Sequence, residues 1–187
     1  MIPPEFGCTP WGRAWVRTVE STTAVGPNPM LPKARSLARN HAVTLSTGTG
    51  RLYADVSASD AVQRVRIDLP RWPARTQAET ERLIAKATAD APGLAVGDLP
   101  DTLEADLARH NISFAVGLDE QVAACDCRTR RRPCVHILAT IYTLVQLIDE
   151  RPALAIELRS SDTKLASLAD LDWVELTEID AASFYGD

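Results

Sequence analysis

The stretch Cys125–His136, "CDCRTRRRPCVH", carries three of the four cysteines and one of the three histidines of a 187-residue chain. Two cysteines stand one residue apart, and after a gap of six residues a cysteine and a histidine repeat that spacing. Four of the six residues in the gap are arginines. In a reducing compartment, where structural disulfides are rare, such clustering is typical of metal ligands.

The spacing predicts one structural zinc ion held by Cys125, Cys127, Cys134 and His136. Zinc in structural sites takes four cysteine or histidine ligands in a tetrahedron. Residues two apart on a strand point to the same face, so Cys125 and Cys127 can bind one ion together. Residues two apart on a helix point to nearly opposite sides, so Cys134 must precede a helix and His136 must lie in its first turn. We expect a strand, a loop and a helix to be pinned at one ion.

Other chemistries fit the same residues less well. A disulfide within the first cysteine pair would be strained and would leave the second pair unexplained. A catalytic zinc keeps one open position and needs a general base nearby, but the motif contains a single carboxylate, Asp126. Nucleophilic catalysis would need a thiolate that is not tied to the metal. We therefore expect no catalytic residues and no enzyme activity, and we interpret Cys8, which stands alone in the sequence, as a bystander.

The arginines between the ligand pairs carry more positive charge than the metal site needs. Three thiolates and one neutral imidazole on a divalent ion leave a formal charge of about -1. Guanidinium groups bind phosphates and carboxylates through a planar fork of donors. The loop arginines are therefore candidate contacts for nucleic acid or for a partner protein, and the alternative is a solvated loop; they are Arg128, Arg130, Arg131 and Arg132.

Strand-like and helical patterns flank the motif on its two sides. The segment 112–127, "ISFAVGLDEQVAACDC", is strand-like and runs directly into the first cysteine pair. After the histidine, residues 137–150 are apolar nearly all round, which predicts a helix buried on most sides; its narrow polar stripe consists of Thr140, Thr143, Gln146 and Asp149. Pro152 is expected to start a shorter helix.

The first 120 residues are expected to combine helices with an antiparallel meander. Trp11, Trp15 and Val19 form one stripe of an amphipathic helix, and residues 32–41 predict a short basic helix. Alternating apolar residues around a Gly-Thr-Gly turn in residues 41–70 predict about three antiparallel strands. Two further helices are expected over 76–90 and 99–111.

The expected fold class is therefore α+β, an antiparallel meander with helices and a C-x-C…C-x-H zinc knuckle that pins a buried helix. We divide the chain into an α+β part over residues 1–120, a zinc finger with its following helices over 121–160, and an acidic tail over 161–187.

Charge is strongly segregated along the chain, although the net charge is only -5. Residues 1–75 carry +5, residues 76–124 carry -6, residues 125–161 carry +2, and residues 162–187 carry -6. Basic surfaces can therefore exist beside an acidic tail. In the tail, Trp173 stands among acids and aliphatic residues, as in a docking peptide. We hypothesise that the tail binds a partner or masks the loop arginines; the alternative is that it packs on the domain through Trp173.

No targeting or membrane signal is visible to us in the sequence. The start "MIPPEFGCTPWGRAW" lacks a basic segment followed by an apolar run. The longest apolar stretch, Val135–Ile148, is interrupted by polar residues and is too short to span a bilayer. We expect a cytoplasmic protein without a membrane partner.

Several segments resemble the bacterial SWIM-type zinc finger family. The spacing C-x-C-x6-C-x-H is followed at once by an apolar helix, as in that family. "GCTPWGRAWVRTVE", residues 7–20, resembles the W-G-R-A-W opening of its bacterial members, and "RVRIDLP", residues 64–70, resembles the strand after their meander. Residues 134–160 are similar to the helix after the metal site, with its D-x-x-P break and L-R ending. The resemblance covers roughly residues 6–160.

The resemblance implies a non-enzymatic module that binds protein or nucleic acid and that often accompanies remodelling-type helicases. It implies a metal role for the same three cysteines and histidine. Family members commonly carry a P-D-W-x-N-P type loop between the ligand pairs, where this chain has "RTRRRP", so nothing about the arginines carries over. We expect an adaptor that contacts a protein partner, a helicase-type ATPase or another nucleic-acid enzyme.

The alternative function is direct DNA or RNA binding through the arginine-rich zinc loop. The chain is net acidic and only 5 % of its residues are aromatic. Proteins that bind single strands usually combine positive charge with aromatic stacking platforms. The composition therefore favours the protein adaptor slightly over the nucleic-acid binder.

Overall fold

The computed structural model describes residues 5–20, 28–58, 61–91 and 93–161. Within these residues the helices are α1 (Pro10–Glu20), α2 (Leu31–Arg39), α3 (Ala74–Ala89), α4 (Asp101–Arg109), α5 (Val135–Glu150) and α6 (Ala153–Glu157). The strands are β1 (Val43–Gly48), β2 (Arg51–Ala58), β3 (Ala61–Asp68) and β4 (Val122–Cys125). The four strands form one antiparallel sheet, so the expected α+β class is confirmed.

The meander follows the alternation seen in the sequence. The sheet order is β1-β2-β3-β4, and the turn between the first two strands places Gly50 at φ +67°, a conformation that favours glycine. On β2 the residues Leu52, Ala54 and Val56 are buried while the residues between them are exposed. One face of the sheet therefore packs on the core and the other faces solvent.

Helix α5 lies at the centre of the core. It contacts α1, α2, α6 and all four strands. Ten of its sixteen residues are buried, which agrees with the expectation of a helix covered on most sides. Full burial of a leucine or isoleucine side chain contributes about 1.5–3 kcal/mol, so the residues of α5 make a large contribution to the stability of the fold.

The strand-like segment before the first cysteine pair forms less strand than expected. Residues 112–121 are irregular, and only Val122–Cys125 joins the sheet. Val122 pairs with Asp68, the last residue of β3, so earlier residues have no neighbouring strand to pair with. The alternating apolar residues of this loop, Ile112, Phe114 and Val116, are instead buried against the helices. The expectation of strand over this whole segment was wrong.

The end of α5 is joined to the start of α1 through one carboxylate. Asp149 accepts hydrogen bonds from the Gly7 N–H (2.7 Å), the Thr9 N–H (2.9 Å) and the Thr9 hydroxyl (2.8 Å). Gly12 lies so close that an added Cβ would stand 2.2 Å from Asp149 Oδ1. The glycine of the W-G-R segment is therefore required by the close approach of this carboxylate.

The proposed division of the chain stays a prediction. β4 belongs to the same sheet as β1 to β3, and a single buried apolar cluster draws residues from α1 through α6. The tail over residues 162–187, with Trp173, lies outside the described residues. None of the helices in the described part of the chain has the length and apolar character needed to cross a membrane.

We predict that Asp149→Ala lowers the free energy of unfolding by about 2 kcal/mol, because hydrogen bonds to a charged acceptor contribute about 1.5–3 kcal/mol. The measurement is urea unfolding followed by far-ultraviolet circular dichroism. Glu150→Ala is the matched control, since Glu150 is the next residue and is exposed. Equal loss of stability in the two variants would contradict the role of Asp149.

Candidate metal centre

The first cysteine pair sits at the end of β4, on the core side of the sheet. Cys125 pairs with Val65, a buried residue of β3. The N–H of Asp126 donates to the Arg64 carbonyl (3.1 Å), which continues the ladder by one residue. The Asp126 side chain points outward, where it accepts a hydrogen bond from Arg64 Nε (3.1 Å). Cys127 is half-buried like Cys125, as the strand period predicts.

The second ligand pair is positioned by the start of α5. Cys134 is the N-cap residue, with extended backbone angles and a buried thiol. Its carbonyl accepts the N–H of Leu138 (3.1 Å), the first backbone bond of the helix. His136 lies in the first turn and is buried. The expectation that the cysteine precedes the helix and the histidine begins it is confirmed.

The fold brings the four predicted ligands together. One donor atom from each of Cys125, Cys127, Cys134 and His136 lies within 4.8 Å of all the others. Cys125 Sγ is 3.7 Å from His136 Nδ1. A zinc tetrahedron with three sulfur ligands and one nitrogen has donor–donor distances of roughly 3.5–3.8 Å. The cluster could therefore hold a metal ion, and Cys8 is not part of it.

The ionisation of the thiols differs within the cluster. Burial raises the pKa of the Cys125 thiol. Burial acts in the same direction at Cys127, but hydrogen bonds with His136, the Thr129 backbone and the neighbouring thiols lower its pKa to about 6. Metal binding requires thiolates, and three thiolates at this separation repel one another. A bound cation compensates that repulsion.

One of the four loop arginines contacts the ligand cluster, and the other three do not. All four are exposed. Arg132 turns back, and its Nη1 donates to Cys127 Sγ (3.8 Å) and to the Thr129 carbonyl (2.8 Å). The side chains of Arg128, Arg130 and Arg131 form no hydrogen bond or ion pair with other described residues. Arg132 thus places one positive charge beside Cys127 Sγ, while the guanidinium groups of Arg128, Arg130 and Arg131 face solvent without a described partner.

Two contacts of the site could not be read from the sequence. The Arg64–Asp126 pair links β3 to the knuckle, and it depends on a strand register that spans about 60 residues of chain. The bond from Arg132 to Cys127 depends on the path of the loop between the ligands. Both contacts depend on the tertiary arrangement of segments, and no spacing of residues along the sequence indicates them.

The masking role of the tail stays a prediction, because residues 162–187 lie outside the described residues. Truncation after Ser161 tests it through nucleic-acid binding at low and moderate salt. Modestly tighter binding that depends on the loop arginines would support masking, because exposed charge pairs are weak and screened. Unchanged binding with lost stability would instead place the tail in the core.

The chain has a relative among known proteins. The chain is 30 % identical over 164 residues to the uncharacterized protein Rv2102 of Mycobacterium tuberculosis. The match covers 85 % of this chain and 58 % of that protein, so the chain spans less than two thirds of the relative's length. No family model matches the chain, and no solved structure matches it. The likeness to SWIM proteins therefore rests on the sequence motifs alone.

We predict that the purified protein contains one zinc ion per chain and that Cys134→Ser removes it. Loss of the metal should loosen α5 from its first turn onward, because metal binding and local folding are coupled. Metal analysis and amide hydrogen exchange measure the two effects. Cys8→Ser is the control, since Cys8 lies outside the cluster. Zinc content well below one per chain, or unchanged content in Cys134→Ser, would contradict the assignment.

Proposed function

We propose that this chain is a non-enzymatic, zinc-binding adaptor of the SWIM type, which presents a metal-anchored arginine loop to a protein partner. The observation that carries the proposal is the convergence of four protein donor atoms within 4.8 Å. Three thiolates and an imidazole are a donor set that suits zinc. The motif resemblance in the sequence supports the family assignment.

The metal in this proposal is structural. Four protein ligands fill a tetrahedron and leave no position for a substrate or a reactive water. The nearest carboxylate in the motif, Asp126, points away from the cluster and is engaged by Arg64. We therefore expect no turnover by the isolated chain, and zinc-dependent hydrolysis of a peptide or nucleic acid would contradict that expectation.

The loop between the ligands is the proposed docking surface. Its ends are Cys127 and Cys134, so a bound metal would hold both ends and restrict where the arginines can reach. Arg128, Arg130 and Arg131 are exposed and have no described partner, which leaves their planar forks available. Such forks bind carboxylates in pairs of hydrogen bonds. An acidic surface on a helicase-type ATPase, or on another nucleic-acid-processing enzyme, is the partner that this proposal names.

A second candidate function is direct DNA or RNA binding by the same loop. The three guanidinium groups without a described partner favour this function, because guanidinium groups bind phosphates as well as carboxylates. The two functions differ in how binding responds to nucleases and salt. Phosphate contacts release counterions, so nucleic-acid binding falls steeply as salt rises.

The deciding experiment is affinity capture from the source cells, with and without nuclease, using wild-type protein and a loop variant. In the loop variant Arg128, Arg130 and Arg131 are changed to glutamine. We expect the wild type to retain a specific protein partner after nuclease treatment and the loop variant to lose it. Loss of all partners on nuclease treatment would instead favour direct nucleic-acid binding.

The matched control carries Arg17→Gln, Lys33→Gln and Arg75→Gln, which remove the same charge from exposed positions outside the loop. Partner loss in the control as large as in the loop variant would mean that overall charge, and not the loop, drives the interaction. In that case the loop has no specific docking role.

A further inference from the structure

The sheet has a solvent face that no described element covers. Because side chains alternate along a strand, the face opposite α5 carries the residues between the core positions. On β2 these include Arg51, Tyr53 and Asp55, and on β3 they include Arg64 and Arg66. All five side chains project from a regular antiparallel register, so their spacing is defined by the sheet.

Tyr53 stands near the middle of this face and is 48 % exposed. It pairs with Ser46 on β1 and with Arg66 on β3, and Arg66 pairs in turn with Ala124 on β4. Serine and alanine are too small to cover a neighbouring ring, and the guanidinium group of Arg66 is bound by Asp68. The Tyr53 hydroxyl accepts a hydrogen bond from Arg51 Nη1 (3.3 Å), which leaves the ring half-exposed on the open sheet. An exposed aromatic ring can stack on an unpaired base, because every base has a flat π-face.

The charge on the face is balanced within the sheet and becomes positive toward the knuckle. Asp68 binds both Arg51 and Arg66 (2.7 Å each), and Arg64 binds Asp126 (3.1 Å). Asp55 adds a third outward carboxylate, so three arginines face three aspartates. The loop that follows Asp126 adds four exposed arginines. The excess positive charge therefore begins where β4 ends.

The Arg64–Asp126 pair joins these two regions and is weak enough to be displaced. The two side chains are 81 % and 59 % exposed, and such surface pairs contribute at most about 1 kcal/mol. Arg64 lies one strand and two residues from Tyr53, which places the ring and the start of the loop on the order of 15 Å apart. A short single strand can cover that distance with a base at one end and phosphates at the other.

We propose that the outward sheet face binds single-stranded nucleic acid, with a base stacked on Tyr53 and phosphates bound by Arg64 and the loop arginines. A duplex does not fit this site, because its bases are already stacked and paired. The proposal deepens the second candidate function, since it shares the loop arginines, but it depends on Tyr53, which the loop does not contain. A protein partner is the competing occupant, and it would bury the exposed Val62 and Val122 on the same face.

The test uses the full-length, zinc-loaded chain and a fluorescein-labelled thymidylate oligomer, with fluorescence anisotropy at low salt. A self-complementary duplex is the comparison ligand. Tyr53→Thr should weaken single-strand binding about tenfold, because loss of one stacked base costs about 1–3 kcal/mol. Tyr53→Phe keeps the ring and removes the hydroxyl that accepts from Arg51 (3.3 Å), so it should bind like the wild type. Val62→Thr, a change on the same face away from the ring, should also bind like the wild type.

The possible outcomes separate this proposal from the loop function. Wild-type affinity in Tyr53→Thr overturns the sheet site, and if the loop variant loses binding at the same time the loop function alone survives. Loss of binding in Tyr53→Thr with full binding in the loop variant supports the sheet site and removes the loop from it. No binding by the wild type, or a captured protein lost in Val62→Thr, overturns the proposal.

Discussion

The constraint on which the rest of the structure depends is the meeting of β4 and the first turn of α5 at one Cys3His cluster. Three thiolates held so close would repel one another, and a bound cation would relieve this repulsion and tie a strand to a helix. Structural zinc contributes about 10–16 kcal/mol in small zinc domains, while whole domains are stable by only about 5–15 kcal/mol. A metal at this point would therefore dominate the position of α5, around which the core is arranged.

The two ends of α5 are fixed by different chemistry. At its start, ligands from the helix and from β4 converge, and at its end Asp149 receives three hydrogen bonds from the segment that leads into α1. A helix buried on most sides cannot slide along its axis when both ends are held. A metal bound by the cluster would also hold both ends of the loop between the ligand pairs, so the loop arginines would project from a fixed base.

The two proposed binding surfaces meet at this same edge. The face of β4 that carries Cys125 packs on the core, while Ala124 and Asp126 lie on the open face. Arg64 then links the open face to the arginine loop. A ligand bound at the loop would therefore lie next to the sheet face, and a ligand on the sheet face would lie next to the loop. The Cys3His cluster, the arginine loop and the open sheet face form one continuous region of the molecule.

The sequence by itself determined the fold class, the meander, the buried α5 and the four candidate ligands, because each is a local pattern: a period of two or 3.6, or a ligand spacing at a strand end and a helix start. The sequence did not predict contacts that depend on which residue of another segment lies opposite. Residues 112–121 alternate like a strand but have no strand beside them beyond Asp68. Asp149, a member of the predicted polar stripe, accepts hydrogen bonds from the segment that leads into α1. Likewise, only the register decided that Tyr53 lies half-exposed on the open sheet face and that Arg64 meets Asp126. Whether a residue is paired or exposed depends on two segments of the chain at once, and the sequence of one segment does not show which other segment packs against it.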